Sequence, residues 1–140
     1  MATGFYAKAR TAFARGEIQW RASGGDTFRA VLVDAGTYTA DLTTSGDEFL
    51  SDIPAAARIV EELLLTPLEP TDGVLDAADL LAVTATGASC EAIVIYQDTG
   101  SEATSRLVLY IDEGTGLPVT PTGVAFDITW GNGVNRIAKL

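Results

Sequence analysis

The sequence predicts a mainly β protein: an antiparallel β-sandwich or barrel, jelly-roll or immunoglobulin-like, led by one short N-terminal α-helix. Three observations predict it. Short apolar, β-branched runs recur along the chain between turns rich in Gly, Asp, Thr and Pro. Residues 91–112, EAIVIYQDTGSEATSRLVLYID, set two such runs around a polar loop, as in a hairpin. Only the opening segment is alanine-rich with helical spacing. A chain of 140 residues, 47% hydrophobic with mean hydropathy +0.22, is sized for one core. The expected division is an N-terminal helical arm at residues 1–16 and a β-sandwich domain at residues 17–140.

Within residues 2–15 Phe5, Ala9, Ala12 and Phe13 follow the i, i+4, i+7, i+8 spacing of one apolar stripe, and Gly16 supplies a helix stop. Lys8, Arg10 and Arg15 lie off that stripe or at its border. Residues 17–21, EIQWR, read as a first short strand with Ile18 and Trp20 on one face. Residues 27–36 are apolar enough for a strand buried on both faces along its middle. Residues 43–59 read as a long connection with Phe49, Leu50 and Ile53 as anchors and Pro54 against a regular ladder. A connection of that length packs on a neighbour or performs the function. RIVEELLL, residues 58–65, fits helix or strand, and its length and the following Pro67 favour strand.

Asp72-Gly73 marks a turn leading to a further strand. In the hairpin, Ile93, Ile95, Leu107, Leu109 and Ile111 are expected to face the core, with Asp98, Thr99 and Gly100 in the turn. Ile95→Asp should then unfold the chain, whereas changes at Ser101 or Glu102 should not. FDITW, residues 126–130, alternates, with Phe126, Ile128 and Trp130 on one face.

Chemistry is constrained more than it is indicated. The chain has no histidine, which removes imidazole bases, Ser-His-Asp and Cys-His arrangements and histidine zinc sites. Cys90 is the single cysteine and reads as a small core residue. Asp72, Asp76 and Asp79 lack calcium-loop spacing and read as a solvated turn. The triplets at 114–116 (GTG) and 131–133 (GNG) lack the context of a nucleotide loop and read as turns. Trp20, Tyr96, Tyr110 and Trp130 suit a sugar platform in principle and a core more readily. No catalytic, cofactor or metal residues are assigned, and no enzymatic role is expected.

The formal charge is −10, unevenly placed. Residues 1–30 carry five cations against two anions, +3, while the remaining 110 carry four against 17, −13. A basic lead on an acidic body indicates head-to-tail contact with an acidic neighbour or a copy of itself, or else a solvated helix face. The body lacks the clustered cations that phosphates require, so no nucleic-acid partner is expected. No apolar run approaches the roughly 20 residues of a membrane span, and no secretory signal pattern opens the chain, so a membrane partner is not expected and a cytoplasm is the expected site of synthesis.

Several stretches together carry a resemblance: MATGFYAKARTAFARGEIQW, GDEFLSDIPAAARI, AIVIYQDTGSEATSRLVLYID, GTGLPVTPTG and FDITWGNGVNRIAKL. Nearly the whole chain is similar to small proteins of tailed bacteriophages and prophages that share the VIYxDTG…ATSxL hairpin and the GLPVTP turn. It departs from them in its basic helix. The resemblance implies a virion structural protein without cofactors, placed on the capsid surface as a decoration or cement protein. Its implied partners are the major capsid protein and itself, as dimer or trimer. In that reading Lys8, Arg10 and Arg15 meet an acidic capsid or sister subunit, and Phe49, Leu50 and Ile53 plug an apolar pocket. Arg10→Glu with Arg15→Glu should then abolish capsid binding and spare the fold. A tail, fibre or baseplate module whose loops, with or without an exposed Tyr96 or Trp130, recognise a host glycan or join other tail proteins is the alternative.

Overall fold

The computed structural model describes residues 4–112, 116–130 and 137–139. Its centre is a five-stranded antiparallel sheet of β1 (Gly4–Phe5), β2 (Thr27–Val33), β3 (Arg58–Leu64), β6 (Ala92–Asp98) and β7 (Arg106–Ile111), in the order β1-β7-β6-β2-β3. Two small sheets join it. One pairs β4 (Val74–Leu75) with β9 (Ala138–Lys139), the other β5 (Leu80–Val83) with β8 (Phe126–Ile128). One helix, α1 (Ala7–Ala14), follows β1. The mainly β, antiparallel class with a leading helix is therefore what forms. The main sheet does not close into a barrel: it ends at β1 and at β3.

Register explains the core. Phe28, Ala30 and Leu32 share one face with Ile95, Ile93, Leu109 and Ile111; Val31 and Val33 share the other with Val94, Ala92 and Tyr110. All these side chains are buried, so the hairpin presents both faces to apolar layers rather than one, because β2, β6 and β7 are the inner strands. Trp20 stacks on Phe28 at 4.6 Å between ring centroids and donates its indole N–H to the Asp76 carbonyl, tying the β4 segment to the first face. Tyr38 meets Tyr110 edge-on at 6.4 Å on the second.

The helix is shorter than its alanine content predicts. Gly4 and Phe5 pair with Tyr110 and Leu109, and the Tyr6 amide bonds the Val108 carbonyl at 3.1 Å. Sheet hydrogen bonds thus take the backbone that would have formed the first turn. At the far end Gly16 adopts φ 75°, its amide bonds Phe13, and Glu17 bonds Ala12, a glycine-dependent helix stop. Ala9 and Ala12 are buried in the same core as the sheet.

Residues 17–21 are not a strand. Ile18 and Trp20 do point inward, but the Gln19 amide bonds the Asp26 carboxylate at 2.6 Å and the Gln19 carbonyl accepts from the Asp26 amide. A local loop satisfies the groups a neighbouring strand would have used. RIVEELLL does form a strand, and Asp72-Gly73 forms the tight turn of a small hairpin, both residues at positive φ, between Thr71 and Val74. The triplet at 131–133 lies outside the described residues, as do Gly114 and Thr115 of the triplet at 114–116.

Residues 34–57 are held by four aspartates. Asp34 accepts from the Gly36 amide and the Thr37 hydroxyl, and Asp41 from the Thr43 amide and hydroxyl. Asp47 accepts from Tyr38 and the Asp41 amide, and Asp52 from the amides of Glu48 and Phe49. These carboxylates are the loop's internal frame.

Candidate functional site

The six residues singled out in the sequence do not form one surface. Lys8 donates to the Gly46 carbonyl at 3.0 Å and lies 3.9 Å from Glu48, so it fastens α1 to the long loop. Ile53 is 0% and Leu50 8% exposed. Both belong to this chain's own core, so the apolar plug expected of them is overturned: the loop curls inward through a short 3-10 turn at Leu50–Asp52. Phe49 is half-buried, in a bridge to Arg106 that extends the covered edge of β7. Arg15, exposed, caps the C-terminal end of α1.

Arg10 remains, and it opens onto a groove. Phe5 from β1, Arg10, Phe13 and Ala14 from α1, and Lys139 from β9 line a cavity of about 440 Å³. Helical spacing of i, i+3 and i+4 turns the three α1 residues to one side. Phe5 and Phe13 meet edge to face, 6.1 Å apart at 89°, and the Arg10 guanidinium lies 5.3 Å over the Phe5 ring. The cation is thereby held on an aromatic floor at small cost in freedom.

Three arginines elsewhere are held by carboxylates, while Arg21 bonds the Gln19 side chain and the Gly24 carbonyl and Arg15 forms no ion pair among the described residues. Arg29 pairs with Asp98 at 2.7 Å, Arg58 with Glu102 at 2.7 Å and Arg106 with Glu17 at 3.5 Å. The Arg29 hydrogen bond, with the Gly100 amide, holds the Asp98 carboxyl below the usual carboxylate range. Arg10 and Lys139 have no carboxylate partner among the described residues. Arg10 over the Phe5 ring, with Phe13 and Lys139 lining the same groove, is chemistry suited to a carboxylate with an apolar neighbour.

Sequence reasoning found Arg10, read Phe5 and Phe13 only as stripe residues, and missed Lys139. No local signal marks Lys139: its place depends on the pairing of Val74 with Lys139, 65 residues apart in number, across β4 and β9.

The remaining candidates resolve into structure. Trp20, Tyr96, Tyr110 and Trp130 are all buried, and Trp130 donates its indole N–H to the Ala78 carbonyl at 3.1 Å. They form no sugar platform, and Tyr96 and Trp130 are not exposed, so the tail-module alternative is left with its loops alone for recognition. Cys90 is buried, and burial with nearby Glu91 pushes its thiol up to about 11, away from the reactive thiolate. Asp79 accepts the Trp130 amide at 2.8 Å. No group of three or more Cys, Asp or Glu side chains able to hold a metal occurs among the described residues, and no described helix is long and apolar enough to cross a membrane. Fold and groove together define a mainly β protein with cationic and aromatic side chains lining a groove beside β1. Compared with protein-family models and with curated proteins, the chain matches none.

Proposed function

We propose that this chain is a virion structural protein of a tailed bacteriophage, a decoration or cement protein that binds the assembled head. The resemblance in its hairpin and turn motifs supports the phage setting. The groove of Phe5, Arg10, Phe13 and Lys139 carries the docking step, because it offers two cations with no carboxylate partner among the described residues beside an apolar floor, on an otherwise acidic molecule. A protein that binds only the assembled shell stabilises it by mass action, and symmetric repetition multiplies weak contacts. The acidic remainder keeps free copies soluble.

Copy number in purified particles, measured by quantitative mass spectrometry against the major capsid protein, tests the reading. Stoichiometry comparable to the capsid subunit is expected. A small fraction of that value would place the chain in the tail instead, and absence from the particle would overturn the structural role. Arg10→Glu with Lys139→Glu should weaken shell binding at least about tenfold while leaving the circular dichroism spectrum unchanged. Arg15→Glu, outside the groove, should have the smaller effect.

A further inference from the structure

The two edges of the main sheet are unlike, and they complement each other. Phe5, in edge strand β1, and the adjoining helix form the cationic, aromatic groove. At the opposite edge, β3 presents Glu61 and Glu62, both exposed, and Leu64, 43% exposed. Neither glutamate forms an ion pair among the described residues.

Register shows why these side chains project. Leu63 pairs with Ala30 and Val60 with Leu32, so Glu61 and Glu62 together stand opposite Val31 in a bulge, with Glu62 at φ 62°. A bulge with a left-handed residue spoils an edge for addition of another strand. The β3 edge is thus unsuited to backbone pairing, but it displays two carboxylates beside an apolar side chain, the chemistry the groove accepts.

We infer that the groove of one copy receives the Glu61, Glu62 and Leu64 edge of a second copy, in a head-to-tail contact running across the sheet. This deepens the docking reading above by naming the groove's partner, and it rests on the groove being a docking surface. Donor and acceptor surfaces lie on different edges, so the contact is heterologous and propagates from copy to copy, closing into a ring or covering a shell as a connected layer. It is carried by opposite charge and is weakened by salt.

Sedimentation equilibrium of the full chain, over a concentration series at about 10 mM and about 500 mM salt, tests this. Mass is expected to rise above the 14.6 kDa monomer with concentration at low salt and to fall back at high salt. Arg10→Glu alone, and Glu61→Lys with Glu62→Lys alone, should each associate at least about tenfold more weakly. An equimolar mixture of the two variants should regain association, since each then meets a partner of opposite charge. A wild-type chain that stays monomeric throughout, or association indifferent to either reversal, overturns the inference. Shell binding is scored separately: a monomeric wild type whose Arg10→Glu variant loses the shell leaves docking intact and removes only the copy-to-copy contact. Restored association in the mixture with no binding to any shell does the reverse.

Discussion

Tyr38 donates its only hydroxyl proton to Asp47 at 2.7 Å, so Tyr6, 2.8 Å away, donates to Tyr38. This buried chain joins β1's end to the long loop, and Tyr38→Phe breaks it at the centre. The Tyr6 hydroxyl loses its acceptor, and a cost of about 1–3 kcal/mol is expected in chemical denaturation. Burial raises the phenols of Tyr6 and Tyr38 well above the usual tyrosine range. It also pushes Tyr96 up to about 12, with Asp98 nearby, and raises Tyr110. These are all four tyrosines of the chain. An unfolded tyrosine ionises near 10 while the folded ones keep their protons, so this contribution to stability is complete below about pH 10 and declines as pH rises further. Phenolate absorbance at 295 nm should therefore emerge only with unfolding. A tyrosine that ionises near pH 10 with circular dichroism intact would contradict the packing described.

At the scale of elements, the hairpin tip is less indifferent than its polar sequence implies. Glu102 holds Arg58, whose side chain is only 8% exposed, at 2.7 Å, and Arg58 also donates to the Ile53 carbonyl at 3.1 Å. Because Glu102 itself is 54% exposed, solvent screens the pair, and Glu102→Ala is expected to cost about 1 kcal/mol. Ser101 contributes its backbone carbonyl to the turn, so Ser101→Ala should be neutral. Ile95→Asp, by contrast, places a carboxylate in the fully buried middle of β6 and should prevent folding. A second element-scale change runs the other way. Ala82 sits in β5 at φ 55°, where a Cβ costs about 1–2 kcal/mol and glycine loses about half of that in chain entropy. Ala82→Gly should raise the melting temperature by about 2–4 °C. Unchanged or lower melting would show that the backbone at Ala82 is not strained. These elements also show what was legible beforehand. Strands β2, β3, β6, β7 and β8 are written in their apolar runs, and the Asp72-Gly73 turn in its dipeptide. β1 and β9 are not, since each is two residues long and exists only through partners far away in sequence. The groove shares that limit: its helical residues were visible and Lys139 was not. Leu50 and Ile53 were misplaced because apolar residues in a loop look the same whether they anchor it inward or face a partner.

For the whole molecule, the charge of −10 and the absence of histidine fix the shape of the stability profile. Between roughly pH 6 and pH 8 no ordinary side chain of this composition changes charge; above that the unfolded Cys90 thiol ionises at about 8.5 while the folded one, pushed up to about 11, keeps its proton. Stability should therefore be level across that window, with the melting temperature varying by no more than about 2 °C at fixed ionic strength. It falls on both sides for different reasons. Above about pH 8 the buried thiol begins the decline, and above about pH 10 the buried phenols continue it. On the acid side Asp98, lowered chiefly by its hydrogen bond from Arg29, is joined by Asp34 and Asp41, lowered by hydrogen bonds from Gly36 and Thr37 and from Thr43. Groups with lowered folded values contribute in full above the unfolded value near 4, and that contribution is lost as pH falls from there through the lower folded values. Salt separates fold from assembly on the same plateau. Screening relieves self-repulsion among the excess carboxylates and raises the melting temperature, while it weakens the proposed contact between the Arg10 groove and the Glu61–Glu62 edge. Raising salt from about 10 mM to about 500 mM at pH 7.5 should thus increase thermal stability as the sedimentation mass declines. Two quantities moving in the same direction would show that association, rather than the monomer's own core, supports the fold.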